Sequence, residues 1–321
     1  MNTMKNGKKN NSEMLQKLTA PLALVIMIVV FSISSPYFLR IDNIMTIALQ
    51  TAITAITAYG MTYVIISGCV DLSIGSTIAL AGVLTALMLQ AGLPIAVSII
   101  ITLLIGIVIG ALNRFMVARM KLPPFIATLG AQMAIRGMAM IVTDAKPVYV
   151  QNVPTFKQLA QSRLWGVIPL PAIYMVLLAL LAAFLLRKTV IGRNIFAVGS
   201  NEEAARLSGI RILQVRMFAY AFSGLMAASA GVILASRVTS GQPGIATGYE
   251  ANAVASAVIG GASMRGGHGA ISGSILGAFI LGVLMNGLNL LNVNQNWQTF
   301  ATGMVVIIAV WVDKMRTSER T

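Results

Sequence analysis

The chain has 321 residues, of which 57% are hydrophobic and only 10% are charged, whereas a soluble domain carries about 25% charged residues. This composition excludes a soluble globular protein and predicts a polytopic membrane protein. The net charge of +14 does not indicate a nucleic-acid partner, because most basic residues fall in connections on one side of the expected spans, as the positive-inside rule requires. The single cysteine, Cys69, excludes an intrachain disulfide and a thiolate metal site.

Ten apolar runs, some of them short or interrupted, approach the length of about 20 residues that a helix needs to cross the hydrocarbon core. They cover residues 20–38, 44–66, 73–91, 94–118, 124–143, 168–187, 217–236, 250–263, 269–288 and 297–313. We therefore predict an all-α polytopic membrane protein with about ten transmembrane helices. Residues 20–316 would form one transmembrane domain between two tails, 1–19 and 317–321. An even number of spans places both tails on one side, which the charge bias makes the cytoplasm.

The first polar break in the apolar pattern is the stretch 67–76, between the second and third runs, and it contains Asp71 and Ser73. Carboxylates at bilayer depth are costly and usually functional. Asp71 or Ser73 could instead cap the helix that follows. Two interpretations stay open for Asp71: a structural cap, and a residue of a translocation path.

Glycines recur at helical spacing in two of the apolar runs. Gly106 and Gly110 lie one turn apart in the fourth run, and Gly269, Gly273 and Gly277 are predicted on one face of the ninth. Small residues at this spacing let two helices approach closely. We interpret both series as helix-packing positions.

The segment 187–216 is the main cytoplasmic connection and contains a short polar stretch with helix signals. Its first residues can accept a hydrogen bond from the free amides of a new helix, two glutamates fall in the first turn, and a glycine supplies the stop. We interpret it as a two-turn helix offered to a soluble partner; a solvated loop is the alternative. The residues concerned are Ser200, Asn201, Glu202, Glu203, Ala204, Arg206, Leu207, Ser208 and Gly209.

The stretch 242–250 joins the seventh run to a short eighth run on the outer side. Pro243 and several glycines interrupt any helix there. We interpret the stretch as a loop that folds back into the outer mouth of a path, with Gln242, Tyr249 and Glu250 as hydrogen-bonding groups. An exposed connector is the alternative. Glycine-bearing breaks before spans in both halves of a membrane protein point to a translocation path.

Three further polar residues lie within or at the end of apolar runs. Arg136, in the fifth run, needs a partner or water, or else reaches toward the outer face. Asn286 and Asn289, near the outer end of the ninth run, carry carboxamides that suit sugar hydroxyls. The preference of asparagine for interfaces and loops explains them equally well.

Motifs for catalysis are missing from the sequence. It contains no Gly-x-x-x-x-Gly-Lys-Ser/Thr phosphate loop, no His-Glu-x-x-His, no Gly-x-Ser-x-Gly and no Cys-x-x-Cys. The single histidine, His268, cannot form a multi-histidine metal site. We therefore expect no catalytic residue, no metal, no cofactor bound by this chain and no ATP hydrolysis by it.

Five stretches carry a family resemblance. They are GMTYVIISGCVDLSIGS at 60–76, NEEAARLSGI at 201–210, SGQPGIATGYE at 240–250, VIGGAS at 258–263 and NGLNLL at 286–291. In this order and spacing the chain resembles, from about residue 20 to 316, the permease subunits of bacterial ABC importers for simple sugars. The ribose permeases of the branched-chain amino acid and sugar permease superfamily are the nearest group. Cys69 departs from the pattern, which more often has a small residue there.

The resemblance implies a fold like that of the vitamin B12 importer, with two inverted repeats, in the bacterial inner (plasma) membrane. It implies three partners besides the lipid bilayer: a second permease subunit forming a homodimer, a cytoplasmic ABC ATPase, often a fused double-domain protein that binds ATP and Mg²⁺, and an external sugar-binding protein. Residues 200–209 would be the coupling helix that meets the ATPase. Three basic residues of the outer segment 144–167, Lys146, Lys157 and Arg163, would face acidic patches on the binding protein.

Two other transport functions stay open. One keeps the architecture but imports autoinducer-2 or another sugar. The other is a secondary transporter without an ATPase, a class that usually carries intramembrane ionisable residues; here only Asp71, Arg136 and Glu250 are candidates. An intramembrane enzyme is disfavoured by the missing motifs.

Overall fold

The computed structural model describes residues 20–151 and 153–318. The predicted tail 1–19 and residues 319–321 of the second tail lie outside these residues. Each of the ten predicted runs contains a helix, and three further helices lie between them. The helices are α1 Ala20–Ser34, α2 Ile41–Ile66, α3 Ile74–Gln90, α4 Ile95–Arg119, α5 Pro124–Ile141, α6 Pro154–Gln161, α7 Leu170–Lys188, α8 Val190–Ser200, α9 Glu202–Leu207, α10 Ile212–Val238, α11 Tyr249–Ile259, α12 Ile271–Leu290 and α13 Gln295–Ser318.

Seven helices of the described residues are long and apolar enough to cross a membrane: α2, α4, α5, α7, α10, α12 and α13. This confirms the prediction of a helical, multi-pass membrane protein. The helices α1 and α3 are apolar but shorter. The helix α11 has 11 residues, so at 1.5 Å per residue it covers only about half of a hydrocarbon core of about 30 Å. The helix α3 fills its predicted run except for one residue at each end, whereas α11 ends four residues before its predicted run does.

Two small antiparallel strand pairs lie between the helices, and β3 occupies the first two residues of the run predicted as a span over 168–187. Strand β1 (Val148–Tyr149) pairs with β4 (Ser240–Gly241), and β2 (Arg163–Leu164) pairs with β3 (Ile168–Pro169). The first pair joins the chain after α5 to the chain after α10. We call this end of the bundle the strand end, and the opposite end, which carries α9, the α9 end.

The helix α10 is the most buried of the seven long helices and packs against α2, α3 and α4. Its buried face consists mainly of alanine, glycine and serine, which allows close contact on several sides at once. Larger side chains fill the gap toward α2, where the rings of Tyr63 and Phe222 lie 4.4 Å apart. The hydroxyl of Tyr63 donates a hydrogen bond of 2.6 Å to the Ala182 carbonyl of α7.

Glycines allow the closest helix contacts. A Cβ added at Gly110 would meet the backbone carbonyl of Tyr220, and one at Gly106 would meet Gly224 and Ala228. Together these positions bring α4 against α10.

The glycines of the ninth run make similar contacts with α11. A Cβ at Gly273 would meet Gly260, and one at Gly277 would meet Ser256. Gly269 does not share their helix face, because α12 begins at Ile271. It lies in the connection before the helix, against the side chain of Ile66.

We expect Gly110→Ala to lower the free energy of unfolding by about 1–3 kcal/mol, the usual cost of overpacking against a rigid neighbour. The matched control is Gly303→Ala on α13, where no described residue lies within 4 Å of the added Cβ. There the higher helix propensity of alanine should be neutral or stabilising by up to about 1 kcal/mol. Thermal unfolding of the purified protein in detergent measures both. Equal midpoints for the two variants would contradict the packing assignment.

Candidate functional site

The predicted polar helix at the α9 end is α9, which covers Glu202–Leu207. The Asn201 side chain accepts a hydrogen bond of 2.9 Å from the Ala204 amide. Gly209, with φ of 81°, ends the helical turn. The cap and the stop therefore separate α9 from its longer neighbours as an independent short helix.

Almost the whole surface of α9 faces solvent, because Ala205 is its only buried residue. Glu203 and Arg206 form an exposed ion pair of 2.6 Å, and Leu207 is 80% exposed. The α9 end therefore presents charged side chains and one leucine to solvent. All other residues predicted for this site, including Ser200, Asn201, Ala204 and Ser208, are also exposed.

Asp71 lies in the connection between α2 and α3 and is 1% exposed. One carboxylate oxygen accepts hydrogen bonds from the backbone amide of Ser73 at 3.0 Å and from its hydroxyl at 2.7 Å. The Ser223 hydroxyl of α10 donates to the other oxygen at 2.9 Å. The Asn113 amide of α4 donates to the Ser73 hydroxyl at 2.7 Å and lies 3.4 Å from Asp71. Asp71 therefore ties the start of α3 to α4 and α10.

Asp71 and Ser73 can be recognised in the sequence as candidate site residues, whereas Asn113 and Ser223 cannot. Each lies in an apolar run, where a single polar residue gives no indication of its partner. The separation of 152 positions between Asp71 and Ser223 is visible only in the fold.

The segment 242–248 continues from strand β4, which packs on α3, and its Ala246 carbonyl lies against Gly75 of α3. Arg136 of α5 binds it, donating hydrogen bonds of 2.7 Å to the Pro243 carbonyl and 2.6 Å to the Ile245 carbonyl. Arg136 therefore has partners inside the protein. We call residues 242–248 the re-entrant segment.

Glu250, in the first turn of α11, follows the re-entrant segment. Its carboxylate accepts hydrogen bonds from Gln132 of α5 at 3.1 Å and from the Gly248 amide at 3.3 Å. Its second oxygen is buried without a hydrogen-bond partner among the described residues and lies against Gly75 of α3. Gln132 was not predicted, although its position one turn before Arg136 in an apolar run is a detectable signal.

The other residues predicted for a path lie in different surroundings. Gln242 donates a hydrogen bond to the Ser240 hydroxyl at the strand end, and Tyr249 packs partly buried against the core. Asn286 and Asn43 exchange two hydrogen bonds of 2.9 and 3.0 Å. Asn289 accepts one of 2.8 Å from Gln298.

Asn286 and Asn289 lie far from Asp71. Asn43 is at the start of α2, and Asp71 follows its end. At 1.5 Å per residue this separation is about 35 Å. Their amides join α12 to α2 and α13 rather than meeting Asp71.

One side of α5 is open. No described residue lies within 4 Å of a Cβ added at Gly130 or Gly137, nor of one at Gly244 or Gly248. Met133, between the two α5 glycines, is 72% exposed. The open side of α5 therefore carries Gly130, Met133 and Gly137, whereas Gln132 and Arg136, which contact α11 and the re-entrant segment, lie on a different side of the helix.

Among residues 20–151 and 153–318, no group of three His, Cys, Asp or Glu side chains converges on a site that could hold a metal ion. The polar clusters consist of amides, hydroxyls, single carboxylates and guanidinium groups. Such groups suit hydrogen bonding to neutral polar molecules or to protein surfaces.

Comparisons with known proteins agree with this membrane architecture. The family described as "Branched-chain amino acid transport system / permease component" matches residues 43–310. The ribose import permease protein RbsC of Haemophilus influenzae is 40% identical over 295 residues, 91% of each chain. RbsC of Bacillus subtilis is 40% identical over 305 residues, 95% of this chain and 94% of its own. The xylose transport system permease protein XylH of Escherichia coli is 33% identical, with 86% of each chain covered. No solved structure matches the chain.

We expect Asp71→Ala to destabilise the protein by about 1–3 kcal/mol for each buried donor left without an acceptor. The control is Asp42→Ala, because Asp42 is 91% exposed and pairs with Arg163 at 3.5 Å; such surface pairs contribute about 0–1 kcal/mol. Thermal unfolding in detergent should show a lower midpoint for Asp71→Ala and an unchanged midpoint for Asp42→Ala. Similar midpoints would show that Asp71 is not a hub of the fold.

Proposed function

Because the chain belongs to the family of branched-chain amino acid transport system permease components, we propose that it is the transmembrane subunit of an ATP-driven importer that moves a simple sugar into the cytoplasm. The observation that carries this proposal is the similarity over more than nine-tenths of the chain to ribose import permeases. It makes ribose the first substrate to test. The xylose permease relative is more distant.

The energy for transport would enter at α9. The chain has no phosphate loop of its own, so ATP and Mg²⁺ would bind to a partner ATPase, as one fused double-domain protein or as two copies. The exposed charges and Leu207 of α9 suit a cleft on that partner. In this arrangement the α9 end faces the cytoplasm of a bacterium and the strand end faces outward, as the distribution of basic residues favours. The chain then lies in the inner membrane with both termini inside.

The translocation path would follow the re-entrant segment and the polar face of α5 that binds it. Irregular backbone at membrane depth is tolerated only where it is buried in protein or lines a water-filled cavity. Gln132 and Arg136 form this polar face, and they hold Glu250 and the re-entrant segment by hydrogen bonds. A second copy of the chain would close the path from the opposite side.

We further propose a fold like that of the vitamin B12 importer, with ten spans and inverted repeats. Two features support it. The interrupted helices α3 and α11 fall in opposite halves of the chain, and each begins after a non-helical segment inside the bundle. A sugar-binding protein would dock at the strand end, where Lys146, Lys157 and Arg163 lie.

The re-entrant segment gives a test of the path. We expect Arg136→Gln and Arg136→Lys to reduce sugar uptake at least about tenfold, because neither side chain can hold both loop carbonyls as a guanidinium does. The control is Arg187→Gln in the last turn of α7, where the residue is exposed. Uptake of labelled ribose by cells expressing the complete transporter measures both. Normal uptake in the two Arg136 variants would show that Arg136 and the re-entrant segment are not part of the path.

The coupling assignment gives a second test. Glu203→Lys should leave the complex assembled but without transport, because it reverses the charge of an exposed side chain at the ATPase contact. Asp144→Lys, in the outer segment, makes the same reversal away from α9. Assembly is followed by co-purification with the ATPase, and transport by ATP-dependent ribose uptake in proteoliposomes with the binding protein. Full uptake by the Glu203 variant would contradict the assignment.

A further inference from the structure

One face of α10 holds the connection between α2 and Asp71. Arg216, Tyr220 and Ser223 occupy positions i, i+4 and i+7, which lie on one side of a helix. The Arg216 Nε donates a hydrogen bond of 3.1 Å to the Ser67 carbonyl. The Tyr220 hydroxyl donates one of 3.0 Å to the Val70 carbonyl, and Ser223 binds the Asp71 carboxylate. We call residues 67–73 the Asp71 loop.

Arg216 has a second partner, on α9. Its Nη2 forms an ion pair of 2.8 Å with Glu202, and its side chain is only 13% exposed. One guanidinium therefore joins the first residue of α9 to the first residue of the Asp71 loop. Its planar, multidentate donor geometry allows both contacts to be held at once.

A second arginine, Arg114, lies near the contact between Arg216 and Glu202. It lies on α4, is 7% exposed, and interacts electrostatically with both Arg216 and Glu202. Its Nε is buried without a hydrogen-bond partner among the described residues. Loss of the Glu202 carboxylate would leave the repulsion between the two guanidinium groups less compensated.

The backbone at the end of α2 packs closely against the backbone at the end of α8. The Gly267 amide donates a hydrogen bond of 2.8 Å to the Ile66 carbonyl. A Cβ at Gly199 would meet both of these groups. The end of α8 is thus fixed against the end of α2, immediately before Asn201. A displacement of α9 relative to this fixed point would move Glu202 first.

We propose that Arg216 is a positioning residue that transmits the movement of α9 to the Asp71 loop, and through it to the start of α3. This inference rests on the proposed function, because it assigns the route by which a partner ATPase acts on the path. When α9 is drawn away, the Arg216 contact with Glu202 breaks, repulsion from Arg114 shifts the guanidinium, and the Ser67 carbonyl loses its donor.

The link is tested first without transport, by hydrogen exchange of the full chain in nanodiscs. Glu202→Gln and Arg216→Lys should each raise amide exchange in residues 67–73 by about fivefold, the effect of weakening one buried hydrogen bond. Glu203→Gln is the matched control, since Glu203 pairs with Arg206 inside α9, and it should leave this segment unchanged. Wild-type exchange in the Glu202 variant, or the same increase in the Glu203 variant, would overturn the link.

The second readout is the amount of ribose moved per ATP hydrolysed by the complex in proteoliposomes. Glu202→Gln, Arg216→Gln and the double variant should lower this ratio to a similar level, because residues that act as a unit do not add their effects. Arg193→Gln, an exposed change on α8, should leave the ratio unchanged. Additive losses, or wild-type ratios in the single variants, would overturn the proposal.

The two proposals fail in different ways. If the wild-type complex moves no ribose with ATP, the proposed function is wrong, whereas the exchange experiment still decides whether α9 communicates with the Asp71 loop. If the wild-type complex transports and the Arg216 variants remain fully coupled, the function stands and the relay is wrong.

Discussion

Two helices of this protein, α3 and α11, begin inside the bundle, and the rest of the architecture depends on how their starting segments find hydrogen-bond partners. The hydrocarbon core offers none, and each unsatisfied polar group there costs several kcal/mol. The Asp71 loop is satisfied by three side chains of α10 and by Asn113 of α4. The re-entrant segment is satisfied by Arg136 of α5. The polar residues within the apolar helices α4, α5 and α10 are therefore explained by the hydrogen bonds that these starting segments need.

The same requirement explains why the polar clusters and the glycine contacts occur together. Side chains such as Ser223 and Tyr220 reach the Asp71 loop only because α10 lies close to α2, α3 and α4. Close approach of α10 to α4 depends on Gly106, Gly110 and Gly224, where a methyl group would meet backbone. Packing and hydrogen bonding are therefore two parts of one constraint.

The sequence predicted local features well and long-range features poorly. The start and end of α9 follow from Asn201, the glutamates of the first turn and Gly209, all of which act within a few residues. The ten apolar runs locate ten helices for the same reason. The Gly-x-x-x-Gly pattern, however, does not reveal where a helix begins, and Gly269 was placed on α12 although it precedes it.

Hydrogen-bond partners that lie far apart in the chain could not be predicted from the sequence. Arg216 and Ser67 are separated by 149 positions, and Gln132 and Glu250 by 118. Polar residues within apolar runs indicated that partners must exist, but not which residues they are. Asn286 is an example, because its carboxamide exchanges hydrogen bonds with Asn43 and the sequence does not indicate that partner.

A transporter driven by a partner needs an element that moves and a frame that does not. The contacts of this protein divide in that way. At the end of α8, backbone meets backbone through Gly199 and Gly267, a contact without adjustable side chains. After Asn201 the chain enters α9, which is exposed apart from Ala205, is capped at its own start and is joined to α10 by the ion pair of Glu202 with Arg216. An ion pair between side chains can lengthen, break and re-form at modest cost when one partner is half exposed, whereas interlocked backbone cannot. The adjustable contact is therefore the ion pair that α9 makes through Glu202. The rigid contact is the backbone of α8 that precedes α9.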